Sequence, residues 1–103
     1  MIDFGRYRQR FMKGNMVERW AMLYVLTEYY HKKGVQVVPT KALAESFYVP
    51  EHTPANFKRI IRYHIHQMKR LGFVTTERMV GSSKAGPVVE LCVRCSYDHL
   101  RLS

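Results

Sequence analysis

Cys92-Val93-Arg94-Cys95 sets two thiols three positions apart, and His99 stands four residues further on. Thiolates and imidazoles are zinc ligands, but a structural zinc takes four of them, usually as two pairs. No second pair accompanies this one. In a strand, residues three apart also point to opposite faces. The pair therefore reads as two reduced thiols in a strand, with neither a metal nor a redox role. His64 and His66 diverge by about half a turn on a helix, so they cannot chelate one ion as an i,i+4 pair would. The 8 acidic residues are scattered, which leaves no nest for two-metal chemistry. There is no Ser-His-Asp or Cys-His pattern and no phosphate-binding glycine loop. The expectation is a chain that is not an enzyme and takes no cofactor.

The residues that do concentrate are cationic. TPANFKRIIRYHIHQMKRLGF, residues 53–73, holds five Lys and Arg, two His and no acidic residue. Phe57, Ile60, Ile61, His64, Ile65, Met68 and Leu71 fall at steps of one and three, the buried stripe of one helix. Opposite them lie Asn56, Lys58, Arg59, Arg62, Tyr63, His66, Lys69 and Arg70. A helix of this length that is simply solvated normally carries i,i+4 pairs of opposite charge. This one has none, so its polar face is suited to an anion.

The stretch needs elements to hold it. Thr53 is a good N-cap, and Pro54 sits at the first helical position, where its missing N–H costs nothing. Gly72 closes the helix. Upstream, Asn15 and Gly34 bracket a first helix, with Met16, Trp20, Leu23, Thr27 and Tyr30 on one face. Further apolar residues widen that face, so the helix should pack on more than one side. VQVV, residues 35–38, reads as a short strand ended by Pro39. Thr40 then caps a second helix, KALAESF, which buries Leu43 and Phe47. Val49-Pro50 stops it. Downstream, residues 73–80 and 87–95 read as a hairpin around GSSKAG, residues 81–86. Val89, Leu91, Val93 and Cys95 share one face of the second strand. Residues 1–14 form a basic arm with Arg6, Arg8, Arg10 and Lys13 set among Phe4, Tyr7 and Phe11. Residues 15–95 form one domain and 96–103 a tail.

A chain of 103 residues suits one domain, and 47% apolar content is enough to build its core. Lys and Arg outnumber Asp and Glu by 17 to 8, a net charge of +9 that points to a polyanionic partner. A merely solubilising surface is the plainer reading of that charge. The longest apolar run, residues 20–26, is far too short to span a bilayer, and no secretory signal is evident. No membrane partner is expected, and the expected location is cytoplasmic.

The order is helix, short strand, helix, helix, hairpin. TKALAESFYV, then TPANFKRIIRYHIHQMKRLGFV, then the hairpin around GSSKAG together resemble the winged helix-turn-helix family of DNA-binding transcription regulators. The resemblance covers residues 15–95 at superfamily level. It implies an α+β fold of three helices with a C-terminal two-stranded wing. In that family the free face of the third helix enters the major groove. The matching positions here are Asn56, Lys58, Arg59, Arg62 and Tyr63 for base edges, and Ala55 for a thymine methyl. Thr53 at the helix start and Lys41 at the start of the second helix join this set. Lys69 and Arg70 lie too far along for bases and fit phosphate or solvent. Ser82, Ser83 and Lys84 at the wing tip would reach phosphate or the minor groove, or simply form a loop. Arg6, Arg8 and Arg10 would enter an adjacent minor groove, unless the arm is a loose tail or a dimer-forming helix.

The function this implies is sequence-specific duplex DNA binding by a small transcriptional regulator. Homodimerisation through helix one and the N-terminal segment is expected, because two modules read two half-sites. The same scaffold would serve an RNA-binding or ribosome-associated protein, which prefers structured RNA, or a protein-interaction module that binds DNA weakly and without sequence preference.

Overall fold

The computed structural model describes residues 10–96, and these form an α+β unit of three helices and a three-stranded antiparallel sheet. In chain order the elements are α1 (Met16–Lys32), β1 (Val38–Pro39), α2 (Thr40–Phe47), α3 (Pro54–Arg70), β2 (Val74–Ser83) and β3 (Gly86–Cys95). The strands lie in the order β1-β3-β2. Among the described residues, no helix is long and apolar enough to cross a membrane.

The ends of α1 and α3 are set locally, where the sequence places them. Asn15 accepts from the Glu18 N–H at 2.9 Å, and the Glu18 carboxylate accepts from the Asn15 N–H at 3.4 Å. This reciprocal pair satisfies two donors that a helix start leaves orphaned. Thr53 caps α3 by accepting from the Asn56 N–H at 3.2 Å, with Pro54 next. Both helices end on a glycine in the left-handed region, Gly34 at φ 93° and Gly72 at φ 87°. In each case the glycine N–H and the one after it reach back to the last carbonyls: Gly34 to His31, Val35 to Tyr30, Gly72 to Lys69, Phe73 to Met68. A side chain at either glycine would strain this closing turn.

Other boundaries differ from the sequence reading. The first strand is Val38–Pro39 instead of residues 35–38, pairing Val38 with Val93 and Pro39 with Cys92. Proline is tolerated there because β1 is an edge strand. Thr40 is not a cap but the first helical residue, and it is fully buried. The start of α2 is instead closed from a distance. The Glu90 carboxylate of β3 accepts from the Lys41 N–H at 3.2 Å and from the Thr40 hydroxyl at 3.5 Å. The hairpin is longer than expected. Strand pairing runs from Val74↔Cys95 to Ser83↔Gly86, so the loop shrinks from residues 81–86 to the turn Lys84-Ala85. Its outer half extends past the helices. Val93 and Cys95 are buried, whereas Val89 is 51% exposed.

The core is centred on three rings. Phe11 stacks on Phe47 with centroids 4.9 Å apart, and Phe57 lies 6.1 Å from Phe11. All three are fully buried, with Leu23, Leu26, Leu43, Ile61 and Ile65 around them. Phe11 belongs to the segment expected to be a basic arm. Arg19 of α1 holds it in place. Its Nε donates to the Phe11 carbonyl at 3.1 Å and its Nη2 to the Met12 carbonyl at 2.7 Å. The buried line of α1 is Leu23, Leu26 and Thr27, which leaves Met16 at the rim instead of in the stripe. The buried hydroxyl of Thr27 donates to the Leu23 carbonyl at 2.7 Å.

Removing the Phe11 ring opens a cavity between α1, α2 and α3. Phe11→Ala should cost about 3–5 kcal/mol of unfolding free energy in chemical denaturation. A loss near zero would mean that this segment is not part of the core.

Candidate nucleic-acid interface

The inward side of α3 is a continuous apolar line. Phe57, Ile61, His64, Ile65 and Met68 are all buried. The expected stripe is shortened at one end, because Leu71 is 54% exposed where the chain turns away at Gly72. Ile60 sits half-buried at the edge. These contacts set the rotation of the helix about its own axis, and with it the direction of the other face.

That outer face presents Ala55, Asn56, Arg59, Arg62, Tyr63 and His66, all exposed, with Lys69 and Arg70 one turn further on. Positions 55/56, 59, 62/63 and 66 are spaced by three and four, so they form one strip. Among the described residues the salt bridge is Glu77–Arg94 at 3.5 Å, on the hairpin. Neither Arg59 nor Arg62 has a carboxylate partner within that set. Their guanidinium groups are therefore free to pair with external oxygen acceptors, bidentately where the acceptor allows.

The remaining expected residues lie elsewhere. Lys58 is half-buried and turns towards Lys41 on the first turn of α2. The two lysines and Glu45 border a groove of about 540 Å³ between α2 and α3, floored by Ala44, Tyr48, Pro54 and Phe57. Thr53 is exposed, but its hydroxyl oxygen is occupied by the cap. Ser82, Ser83 and Lys84 lie at the far end of the hairpin, at and beside its turn. There Ser83 is engaged by the turn itself: its hydroxyl donates to the Gly86 carbonyl at 3.0 Å and accepts from the Ala85 N–H at 3.3 Å. Lys84 and Ser82 are exposed. Arg10 is exposed beside the buried Phe11, while Arg6 and Arg8 lie outside the described residues.

Sequence reasoning missed three residues that bear on the site. Arg78 is exposed on β2 and adds a cation to the hairpin; it shares a strand face with the buried Val74, so alternation gave no signal for its exposure. Glu90 positions Lys41 through the helix cap. Arg19 reaches α3 as well as the N-terminal segment, since its Nη1 lies 3.3 Å from His64 Nε2.

That last contact fixes a tautomer. Arginine only donates, so His64 Nε2 accepts and Nδ1 carries the proton. Nδ1 is buried with no hydrogen-bond partner among the described residues. Burial, and then the Arg19 charge, push the imidazole down from 6.5 to about 4. His64 is thus a neutral core residue that packs edge-on against the Phe11 ring, 6.0 Å between centroids.

Both thiols are held towards the protonated form. Burial raises both, with the Glu90 and Glu77 carboxylates adding to the effect at Cys92. Cys95 is pushed up to about 12 by burial and then by Glu28, against a weaker lowering from its hydrogen bond with Tyr24. Thiolate is the nucleophile, so that role is disfavoured here. Among the described residues, no group of three or more His, Cys, Asp and Glu could hold a metal ion.

No protein-family profile, curated protein or solved structure matches this chain.

The unfolded chain takes up a proton at His64 near pH 6.5, and the folded chain only near pH 4. Its contribution to stability is complete above 6.5 and is lost as the pH falls through this window. Denaturation midpoints followed from pH 7 to 4 should fall more steeply for the natural chain than for His64→Gln. Parallel pH profiles would show that His64 is not held neutral.

Proposed function

We infer that this chain binds duplex DNA through the outer face of α3 and acts as a small transcriptional regulator. The observation that carries the reading is the strip of Asn56, Arg59, Arg62 and Tyr63. It is exposed, has no carboxylate partner among the described residues, and is oriented by a fully buried opposite face. An α-helix with side chains is about 10–12 Å across, which matches a major groove about 12 Å wide. Asn56 suits adenine N6/N7, and Arg59 and Arg62 suit guanine O6/N7. Ala55, ahead of them, suits a thymine methyl. Lys41 and Lys58 across the α2–α3 groove suit the flanking phosphates.

The order of three helices followed by an antiparallel hairpin is compatible with a winged helix-turn-helix arrangement, in which the hairpin is the wing. On that arrangement Lys84, Ser82 and Arg78 serve phosphate contacts along the adjacent backbone. The net charge of +9 supplies the sequence-independent part of the affinity through counterion release.

Fluorescence anisotropy of the full chain with a random pool of duplex DNA, against structured RNA at equal salt, tests the reading. Log affinity for DNA should fall linearly with log salt, with a slope of several phosphate contacts. A site selected from the pool should lose about tenfold or more in affinity with either Arg59→Ala or Arg62→Ala, and relax at the base each one reads. Lys84→Ala should weaken all duplexes alike and reduce the salt slope by about 1. Unchanged duplex affinity in the Arg59→Ala/Arg62→Ala double variant would rule out this face, and a clear preference for RNA would overturn the duplex assignment.

A further inference from the structure

We propose that the groove between α2 and α3 is a binding site for a free aromatic α-amino acid. One wall is the line from Lys41 through Glu45 to Tyr48 on α2, and the other is the first turn of α3, from Pro54 to Lys58. The duplex reading uses the two lysines, with Ala55 at the α3 edge. Phosphates at the lysines leave Glu45 facing an anion and the Tyr48 ring facing water, so the groove carries chemistry that DNA does not use. Its volume of about 540 Å³ lies within the span of small-molecule sites, about 300–1,000 Å³. The aromatic wall is already in place. The Tyr48 hydroxyl donates to the His52 carbonyl at 2.7 Å, and the Tyr48 ring meets the buried Phe57 ring edge-on at 5.7 Å.

Charge and spacing select the occupant. Lys41, Lys58 and Glu45 have no salt bridge among the described residues. Lys41 and Glu45 stand one turn apart on α2, with Cβ atoms about 5–6 Å apart. An α-amino acid carries its carboxylate and its ammonium on one carbon, so it meets a lysine and Glu45 at that spacing, with Lys58 as a second cation on the carboxylate. Each lysine is the groove residue of its helix furthest along the sequence from the α2–α3 turn. The carboxylate therefore sits away from the turn, and the side chain lies over Tyr48 and Pro54, where a ring gains aromatic contacts. A carboxylic acid with no amine is repelled by Glu45, and an amine with no carboxylate meets two cations. The site itself does not rest on the duplex reading, but one consequence does. Lys41 and Lys58 are the residues assigned there to phosphates, so a bound amino acid should release the duplex and make the groove an effector site.

The test follows amide chemical shifts of the isotopically labelled full chain, without nucleic acid, as L-phenylalanine is added. The titration runs to about ten times the millimolar Kd expected of so small a ligand. Saturable changes should centre on Ala44, Glu45, Tyr48 and Ala55. Phenylpropanoate, phenethylamine and L-alanine each lack one of the three recognised groups and should bind about tenfold more weakly or worse. Glu45→Gln should weaken L-phenylalanine about tenfold and leave phenylpropanoate as tight or tighter, whereas Lys41→Gln should weaken both. Both side chains are exposed, so circular dichroism should stay that of the natural chain. No saturable change with L-phenylalanine, or changes centred away from the groove, overturns the site. Phenylpropanoate binding as tightly as L-phenylalanine, or a Glu45→Gln chain that binds L-phenylalanine unchanged, overturns the amino-acid assignment. Saturating L-phenylalanine should also raise the Kd for a selected duplex about tenfold. Unchanged duplex affinity with the groove occupied overturns the competition alone. A chain that binds no duplex fails the reading of α3 and leaves the ligand titration standing, since no DNA enters it.

Discussion

The amphipathic division of α3 is the constraint on which the rest of this structure depends. Phe57, Ile61, Ile65 and Met68 must leave water, and that burial supplies the dominant favourable term for so small a core. Five cations on the same 17-residue helix must stay in water or meet an anion, because burying an unpaired charge is far more costly than a hydrophobic gain could offset. Both demands are met only if the helix is held at one rotation. The stacked Phe11 and Phe47 rings, the edge contact of His64 with Phe11, and the Arg19 bridge between α1, the N-terminal segment and α3 all act on that rotation.

The same logic accounts for the polar groups that are buried. His64 is tolerated inside because it is neutral and accepts from Arg19, while Thr27 and Thr40 are tolerated because their hydroxyls find acceptors. Glu90 serves the fold in the same way. Its carboxylate satisfies the first turn of α2, where the side chain expected to do so is buried, and it ties that helix to β3. The elements flanking α3 are therefore tied together by side-chain bonds across long sequence separations, as well as by apolar packing.

What was legible in the sequence was local. The caps Asn15 and Thr53, the closing glycines Gly34 and Gly72, and the helical period of α3 each depend on residues within one or two turns, and each stands where the residues place it. The exposed strip Asn56, Arg59, Arg62 and Tyr63 follows from that period. The misread features are non-local. Glu90 caps a helix 49 residues away, and no local pattern marks such a partner. Phe11 sits among arginines and reads as part of an arm, yet its ring completes a core built by residues far along the chain. Gly81, Ser82 and Ser83 have loop chemistry but are held in the ladder by Val88, Pro87 and Gly86. The use of the Ser83 hydroxyl by its own turn follows from that tighter geometry. The burial of Leu71 was overestimated because periodicity gives the face of an element but not where its neighbour ends.

The central claim is that the outer face of α3 is where duplex DNA docks. Amide chemical shifts of the isotopically labelled chain, followed through a titration with a selected duplex, test it most directly. The account predicts the largest changes along residues 55–63, with smaller ones at Lys41 and Lys84 and little at Leu23, Leu26 and Thr27. Changes confined to other surfaces, with residues 55–63 silent at saturation, would contradict it.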